Sequence, residues 1–353
     1  MNSEETNFSN DYGPQRLSLE LVNICNLHCS YCFRSEDDLY SSKAEYFPIE
    51  LLQQILQDSK RIAGVTRVIF TGGEPTLHPQ FNEALSVVAD AGMTASFVTN
   101  GWHFERIWPS VSANRKSITH VAFSLDGITR EVHDHWRGNG SFDRLVRAFS
   151  RCYVSGLPFA IKITIRRDTS EQLEQIAMFA ARLGASALNF VHVMPTSGDA
   201  GSDGSLNLEE RRIAEEEITI LSRIFKMHIG IDVGYYNIDE RPPCSPLAGT
   251  SMNVDYRGRL SLCCNLSGFR GGVEKTDAVA DLSSQPFESA HPKLLALATR
   301  QLKERNDKLA ELRAAGLTPD LFTGSPCLFC LQSFGKIPWY GNKRQLVVDL
   351  KKN

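Results

Sequence analysis

Between residues 16 and 198 short apolar runs recur at fairly even intervals: "LSLELVN", "RVIFTGG", "ASFVTNG", "HVAFSLDG", "AIKITI" and "ALNFVHVMP". They are rich in Val, Ile and Phe with little polar alternation, the pattern of strands buried on both faces. Amphipathic stretches at 49–63, 80–91 and 170–183 lie between them. Strand and helix in this succession pack in few ways, and crossovers of one hand give a parallel sheet with helices outside. Six strands fall short of a closed eight-stranded barrel, so the expected fold is α/β, a partial (β/α)6 barrel over residues 16–205.

Beyond residue 198 the pattern changes. "SGDAGSDGS" is a loop of small residues, and residues 206–240 read as a connecting helix and strand. "MNVDYRGRLSLCC" reads as a β-hairpin turning at Gly258, and 287–315 as a charged helix. Residues 241–335 are therefore expected to form a small α+β domain, flanked by a disordered tail at 1–15 and a C-terminal segment at 336–353. With 353 residues, 42% hydrophobic and 22% charged, the chain can build the cores of both. Its net charge of -3 offers no footprint for nucleic acid or an anionic membrane. No apolar run spans a bilayer and no signal-peptide core opens the chain, so the expected compartment is the cytoplasm. There nine cysteines point to ligands or catalysts rather than disulfides.

Cys25, Cys29 and Cys32 in "CNLHCSYCF" follow the first strand directly, at the barrel end where active sites lie. Zinc wants four protein ligands, and His28, between the cysteines, matches no usual finger spacing. An iron–sulfur cluster suits thiolates crowded on one loop, and three of them leave one iron of a four-iron cubane open to a small molecule. "FTGGEP" follows the second strand. Its glycines allow close backbone approach, and the carboxylate of Glu74 suits a ligand ammonium. "VTNG", "SLDG" and "VMPTSG" fall at the ends of the third, fourth and sixth strands.

The C-x3-C-x2-C spacing with an aromatic before its last cysteine, joined to a complete GGEP run, resembles the radical S-adenosylmethionine (SAM) superfamily. The resemblance implies a [4Fe-4S] cluster on Cys25, Cys29 and Cys32 whose open iron is chelated by SAM. It places Tyr31, Gly72, Gly73, Glu74, Thr99, Ser124, Asp126 and Lys162 around SAM. "HDHWRGNGSFDR" also resembles the family, with His133 and Arg137 holding the loop. By the same resemblance an external one-electron reductant, such as flavodoxin or ferredoxin, feeds the cluster. SAM is then cleaved to a 5'-deoxyadenosyl radical that takes hydrogen from a substrate.

A second set, Cys244, Cys263, Cys327 and Cys330, combines C-x13-G-x4-C with "CLFC". Four thiolates suffice for one cluster, or for a zinc ribbon. The arrangement resembles the Twitch domain, a shortened relative of the SPASM domain, which implies an auxiliary [4Fe-4S] cluster and two clusters in all. Without an open iron it would accept or relay an electron, favouring net oxidation. Cys264 could replace Cys263 as ligand, Cys152 and His192 read as core, and Tyr235 and Tyr236 either line the substrate site or pack. The expected function is oxidative modification or cross-linking of a ribosomal peptide. Dehydrogenation of a small molecule such as an aminosugar is the alternative, and a zinc-binding non-enzyme the distant one. With so few residues before the first strand, a peptide would dock directly or through a separate leader-peptide-binding protein.

Overall fold

The apolar runs form β1 (Gln15–Glu20), β2 (Val65–Thr71), β3 (Thr94–Thr99), β4 (Ile118–Leu125), β5 (Phe159–Ile165) and β6 (Ala187–His192), each parallel to the next. This computed structural model describes residues 15–34, 36–196, 204–269 and 277–338. The expected N-terminal tail, the loop at 197–203 and the segment from 339 onward lie outside the described residues.

The sheet does not stop at six strands. The connecting segment supplies β7 (His228–Val233), parallel to β6. At the other edge β8 (Ser251–Val254) runs parallel beside β1, and β9 (Arg259–Ser261) turns back against it with Gly258 at the turn, φ 84°. Strand β10 (Ala278–Asp281) pairs with β9, closing a ten-stranded order of β10-β9-β8-β1-β2-β3-β4-β5-β6-β7. The hairpin expected in the C-terminal region therefore extends the barrel's own sheet.

Helices cover one face: α1 (Ile49–Ala63), α2 (Phe81–Asp90), α3 (Phe104–Ala113), α4 (Arg130–Arg137), α5 (Ser141–Ser155), α6 (Leu173–Arg182) and α7 (Leu208–Ile224). In α1 the buried residues Leu52, Ile55, Leu56 and Ser59 share one stripe, and Gly64 ends the helix at φ 66°. Asn207 and Glu210 form the capping box that opens α7. The 28-residue α8 (Phe287–Ala314) and the short α9 (Pro326–Ser333) complete the C-terminal region. Cys152, on the buried face of α5, packs in the core, as expected.

The strands do alternate, contrary to the reading of both faces as apolar. Leu17, Leu19, Phe123, Ile161 and Ile163 pack under the helices. Their neighbours Ser18, Glu20, Ser124, Lys162 and Asn189 have the opposite parity and face the concave side. Lys162 of β5 reaches Asp232 of β7 across β6, so the curved inner face is polar. A dry core and a wet lumen can share one strand because its period is two.

Candidate functional site

Past β1 the chain stays extended, with Leu21 N–H donating to the carbonyl of Thr71 (2.9 Å). It then breaks into the loop holding Cys25, Cys29 and Cys32. All three are partly buried, and none of the nine cysteines is in a disulfide. Cys25 is pinned through its backbone N–H to Leu39 (3.0 Å), and a turn links Cys32 N–H to Cys29 (3.1 Å). Burial pushes the Cys25 thiol up to about 12, helped by the charge of Glu74 and by the other two sulfurs. His28 stacks on Tyr40 at 3.8 Å, so its ring is engaged in packing rather than turned to the sulfurs. Among the described residues no group of three or more His, Cys, Asp or Glu side chains is gathered as a single metal ion requires. Three thiols spread over one loop instead suit a larger body with several metal atoms.

Gly72 and Gly73 explain how that loop meets β2. A Cβ on Gly72 would lie 2.5 Å from the Val22 carbonyl oxygen, and one on Gly73 2.0 Å from that of Ile24. Gly73 N–H and Glu74 N–H donate to those same carbonyls, each at 2.9 Å. What approaches the glycines most closely is thus the backbone leading into the cysteines. The next residue, Glu74, is buried and caps a short 3-10 turn at Pro75–Leu77. Its Oε1 accepts from the hydroxyls of Thr76 and Thr99, both at 2.7 Å, and from Thr76 N–H, while Oε2 accepts from Asn100 N–H at 2.8 Å. Burial raises the Glu74 carboxyl, and these donors work against it. Thr99 is buried as a brace for Glu74. Asn100, which spacing did not single out, joins the two loops: its side chain donates to Asn26 (3.1 Å) and reaches Cys25 Sγ at 3.9 Å.

On the other side of the loop Asp126, fully buried at the end of β4, collects charge. It accepts from the Tyr31 hydroxyl and pairs with Arg137 of α4 and with Arg166 (3.0 Å), which follows β5. Its own N–H donates to His133 Nδ1 (3.2 Å). Burial alone would raise the Asp126 carboxyl, but the two guanidiniums hold it below the usual carboxylate range. Arg166 has no exposed surface and lies 4.1 Å over Trp136 and 5.2 Å over Tyr31. Its importance was not legible in the sequence, since an arginine ending a strand follows no motif. Ser124 sits on the inner face of β4 opposite Lys162 of β5, and Lys162 is committed to Asp232. Tyr31, Glu74, Thr99 and Asp126 thus gather round the cysteine loop, while Ser124 and Lys162 stand in the lumen.

Cys244, Cys263, Cys327 and Cys330 line one apolar cleft with Leu247 and Leu262. Backbone N–H groups reach two of the sulfurs, Gly234 to Cys327 at 3.4 Å and Asn265 to Cys263 at 3.5 Å. Burial pushes the Cys327 thiol up to about 12. Four thiols from three stretches of chain in one dry cleft fit a cluster with full protein ligation. Cys263 lines this cleft, whereas Cys264 faces the charges of Glu20, Arg34 and Lys162. Tyr235 stands near Cys244 and Cys327 with its hydroxyl on the Pro243 carbonyl, and the Tyr236 hydroxyl donates to Pro319 (2.8 Å). Arg34, two residues past Cys32, pairs bidentately with Glu20 (2.9 and 3.0 Å) and bridges through its backbone to Phe269. That backbone bridge, beside the buried ion pair, ties the first cysteine loop to the stretch that follows Cys263.

Comparison with known proteins bears on the fold and the family. Residues 19–180 match the family described as the radical SAM superfamily. The mycofactocin maturase MftC of Mycolicibacterium smegmatis is 34% identical over 194 residues, 53% of this chain and 46% of the relative. Fe-coproporphyrin III synthase of Methanosarcina barkeri is 28% identical over 226 residues, 63% of this chain and 54% of the relative. The match thus spans about half the length of these curated relatives. The crystal structure of anSMEcpe with bound AdoMet and Cp18Cys peptide superposes with a TM-score of 0.64 at 14% identity, covering 96% of this chain and 99% of that one. The shared fold therefore continues past the barrel into the C-terminal region. With its three-cysteine loop at the mouth of a parallel sheet and its GGE turn bound beneath that loop, the stretch 19–180 of this chain belongs to the radical SAM superfamily.

Proposed function

We propose that this chain is an oxidoreductase that binds SAM at a [4Fe-4S] cluster on Cys25, Cys29 and Cys32, carries a second cluster on Cys244, Cys263, Cys327 and Cys330, and oxidatively modifies a peptide. When bound, these groups supply the one-electron chemistry that removes a hydrogen atom from the substrate. The observation that carries the reading is the three-thiol loop braced from beneath by Glu74 and Asn100, with no fourth cysteine on the loop. The protein's part is to fix that loop, keep the site dry and hold charge. Glu74 and Thr99 anchor the turn on which the loop rests. Asp126, Arg137 and Arg166 hold Tyr31 against Cys29, and Arg137 offers a positive charge to that sulfur. The second cluster, fully ligated, is suited to taking up an electron rather than binding substrate.

A peptide substrate is favoured by the neighbour whose fold spans nearly the whole chain and which carries a peptide. A small-molecule substrate is the second reading, favoured by the porphyrin-related match, which runs further along the chain than the maturase match. The test is anaerobic reconstitution. The wild type should hold about eight irons per chain and release 5'-deoxyadenosine from SAM under strong reduction. Cys25→Ala/Cys29→Ala/Cys32→Ala should halve the iron and abolish the release. Cys327→Ser/Cys330→Ser should keep the release and lose product. Zinc in place of iron, or release unaffected by the triple substitution, overturns the reading. Loss of two hydrogens from a candidate peptide, against change in a porphyrin or sugar, separates the two substrates.

A further inference from the structure

Helix α8 turns two buried polar side chains, Gln301 and Arg305, one helical turn apart, toward the second cysteine set. Arg305 has no exposed surface. Its Nη groups donate to the backbone carbonyls of Asp239 (3.2 Å) and Asn237, but its Nε is buried with no hydrogen-bond partner. No carboxylate pairs with it among the described residues. After burial, the groups acting most strongly on its charge are Cys330 and Cys244, then Tyr235 and Asp239, and the Asp239 carboxylate is turned to Arg241 at 2.6 Å. Gln301 is equally incomplete. Its Oε1 accepts from the Ser333 hydroxyl (3.1 Å), while its buried Nε2 has no partner other than the Cys330 sulfur it is directed at.

A buried guanidinium without an anion is strongly unfavourable, and so is a buried amide N–H₂ without an acceptor. Both residues act on Cys330. A cluster on four thiolates carries net negative charge, and its potential is set by nearby charge and by hydrogen bonds to its sulfurs. We propose that Arg305, assisted by Gln301, is the counter-charge of the second cluster and holds its reduction potential up. This rests on the reading that Cys244, Cys263, Cys327 and Cys330 bind such a cluster. Arg305 is a positioning residue: it touches neither substrate nor SAM. Its cation favours the more negative, reduced form of the cluster, biasing it toward accepting an electron.

The test uses the full chain carrying Cys25→Ala/Cys29→Ala/Cys32→Ala, so that one cluster remains, with iron counted before a redox titration followed by electron paramagnetic resonance. Arg305→Gln should retain about four irons and shift the ratio of reduced to oxidised cluster at fixed potential about tenfold toward oxidised, about 59 mV for one electron. Arg305→Lys should restore most of the shift, because charge rather than shape is at issue. Gln301→Leu should move the potential the same way by less. An iron-loaded Arg305→Gln with unchanged potential overturns the proposal, as does an Arg305→Lys shifted as far as the glutamine variant. If Arg305→Gln does not fold, an unmoved Gln301→Leu overturns it. If the background chain binds no iron, the cluster reading itself fails, and the iron count reports this before any titration.

Discussion

Glu74 shows how much a single side chain decides here. Four donors aimed at one carboxylate favour its anion, although burial opposes the charge and raises the carboxyl. Glu74→Gln keeps the shape but turns an N–H₂ toward the Asn100 N–H or the Thr99 hydroxyl. One buried donor is then orphaned, at a cost of about 1–3 kcal/mol. Chemical denaturation should show a loss of that size, with the cysteine loop losing cluster occupancy ahead of global unfolding. Thr99→Val, which removes one donor and leaves the carboxylate the other three, should cost less. Equal stability of wild type and Glu74→Gln would show that the network contributes nothing. Glu74 was legible in the sequence because it sits in a motif. Asn100 and Arg166 were not, because their roles arise where strand ends converge and no spacing along the chain encodes that.

At the level of elements, the pairing of the pre-cysteine segment with the GGE turn is the joint on which the site depends. The Cβ of alanine at position 73 would sit 2.0 Å from the Ile24 carbonyl oxygen and 2.4 Å from its carbon. Both atoms are backbone, so no side-chain rotation relieves the clash. Gly73→Ala should displace residues 24–25 and cut iron bound at the three-cysteine loop several-fold, while circular dichroism shows the helices intact. Gly64→Ala is the control. It has nothing within 4 Å and a φ of 66°, so it should cost about 1–2 kcal/mol of backbone strain and leave iron binding unchanged. Equal iron content in the two variants would dismiss the joint. Strand ends and helix spans were well marked in the sequence, α1 and α8 nearly to the residue, because amphipathic period and glycine caps are local signals. The reason for the glycines was not: close approach to a ligand and close approach of another strand leave the same trace.

Across the whole molecule the sheet joins distant parts of the chain, with β8 against β1 at Arg16↔Ser251 and the Arg34–Glu20 pair beneath. Periodicity cannot announce a pairing between strands so far apart, and for that reason the C-terminal hairpin read as a separate unit. A continuous sheet also means that buried titratable groups on different elements report on one structure. His133, in α4, is driven down to about 4 by burial and by Arg137, with Asp126 and Asp134 opposing and Arg166 assisting. His192, at the end of β6, is driven to about 4 by burial and Arg211, against a hydrogen bond to Glu215 at 3.1 Å. Both are neutral in the fold, and their ordinary value when unfolded is about 6.5. Unfolding therefore takes up protons between these limits, so stability is full above about pH 6.5 and falls as pH drops toward 4. Each histidine contributes about 3 kcal/mol across that window. His133→Asn preserves an acceptor for the Asp126 N–H, and His192→Gln a donor for Glu215. The double variant should lose stability less steeply than wild type from pH 6.5 to 4 and match its slope above 7. Parallel curves through the whole range would mean that neither histidine is held neutral by the fold.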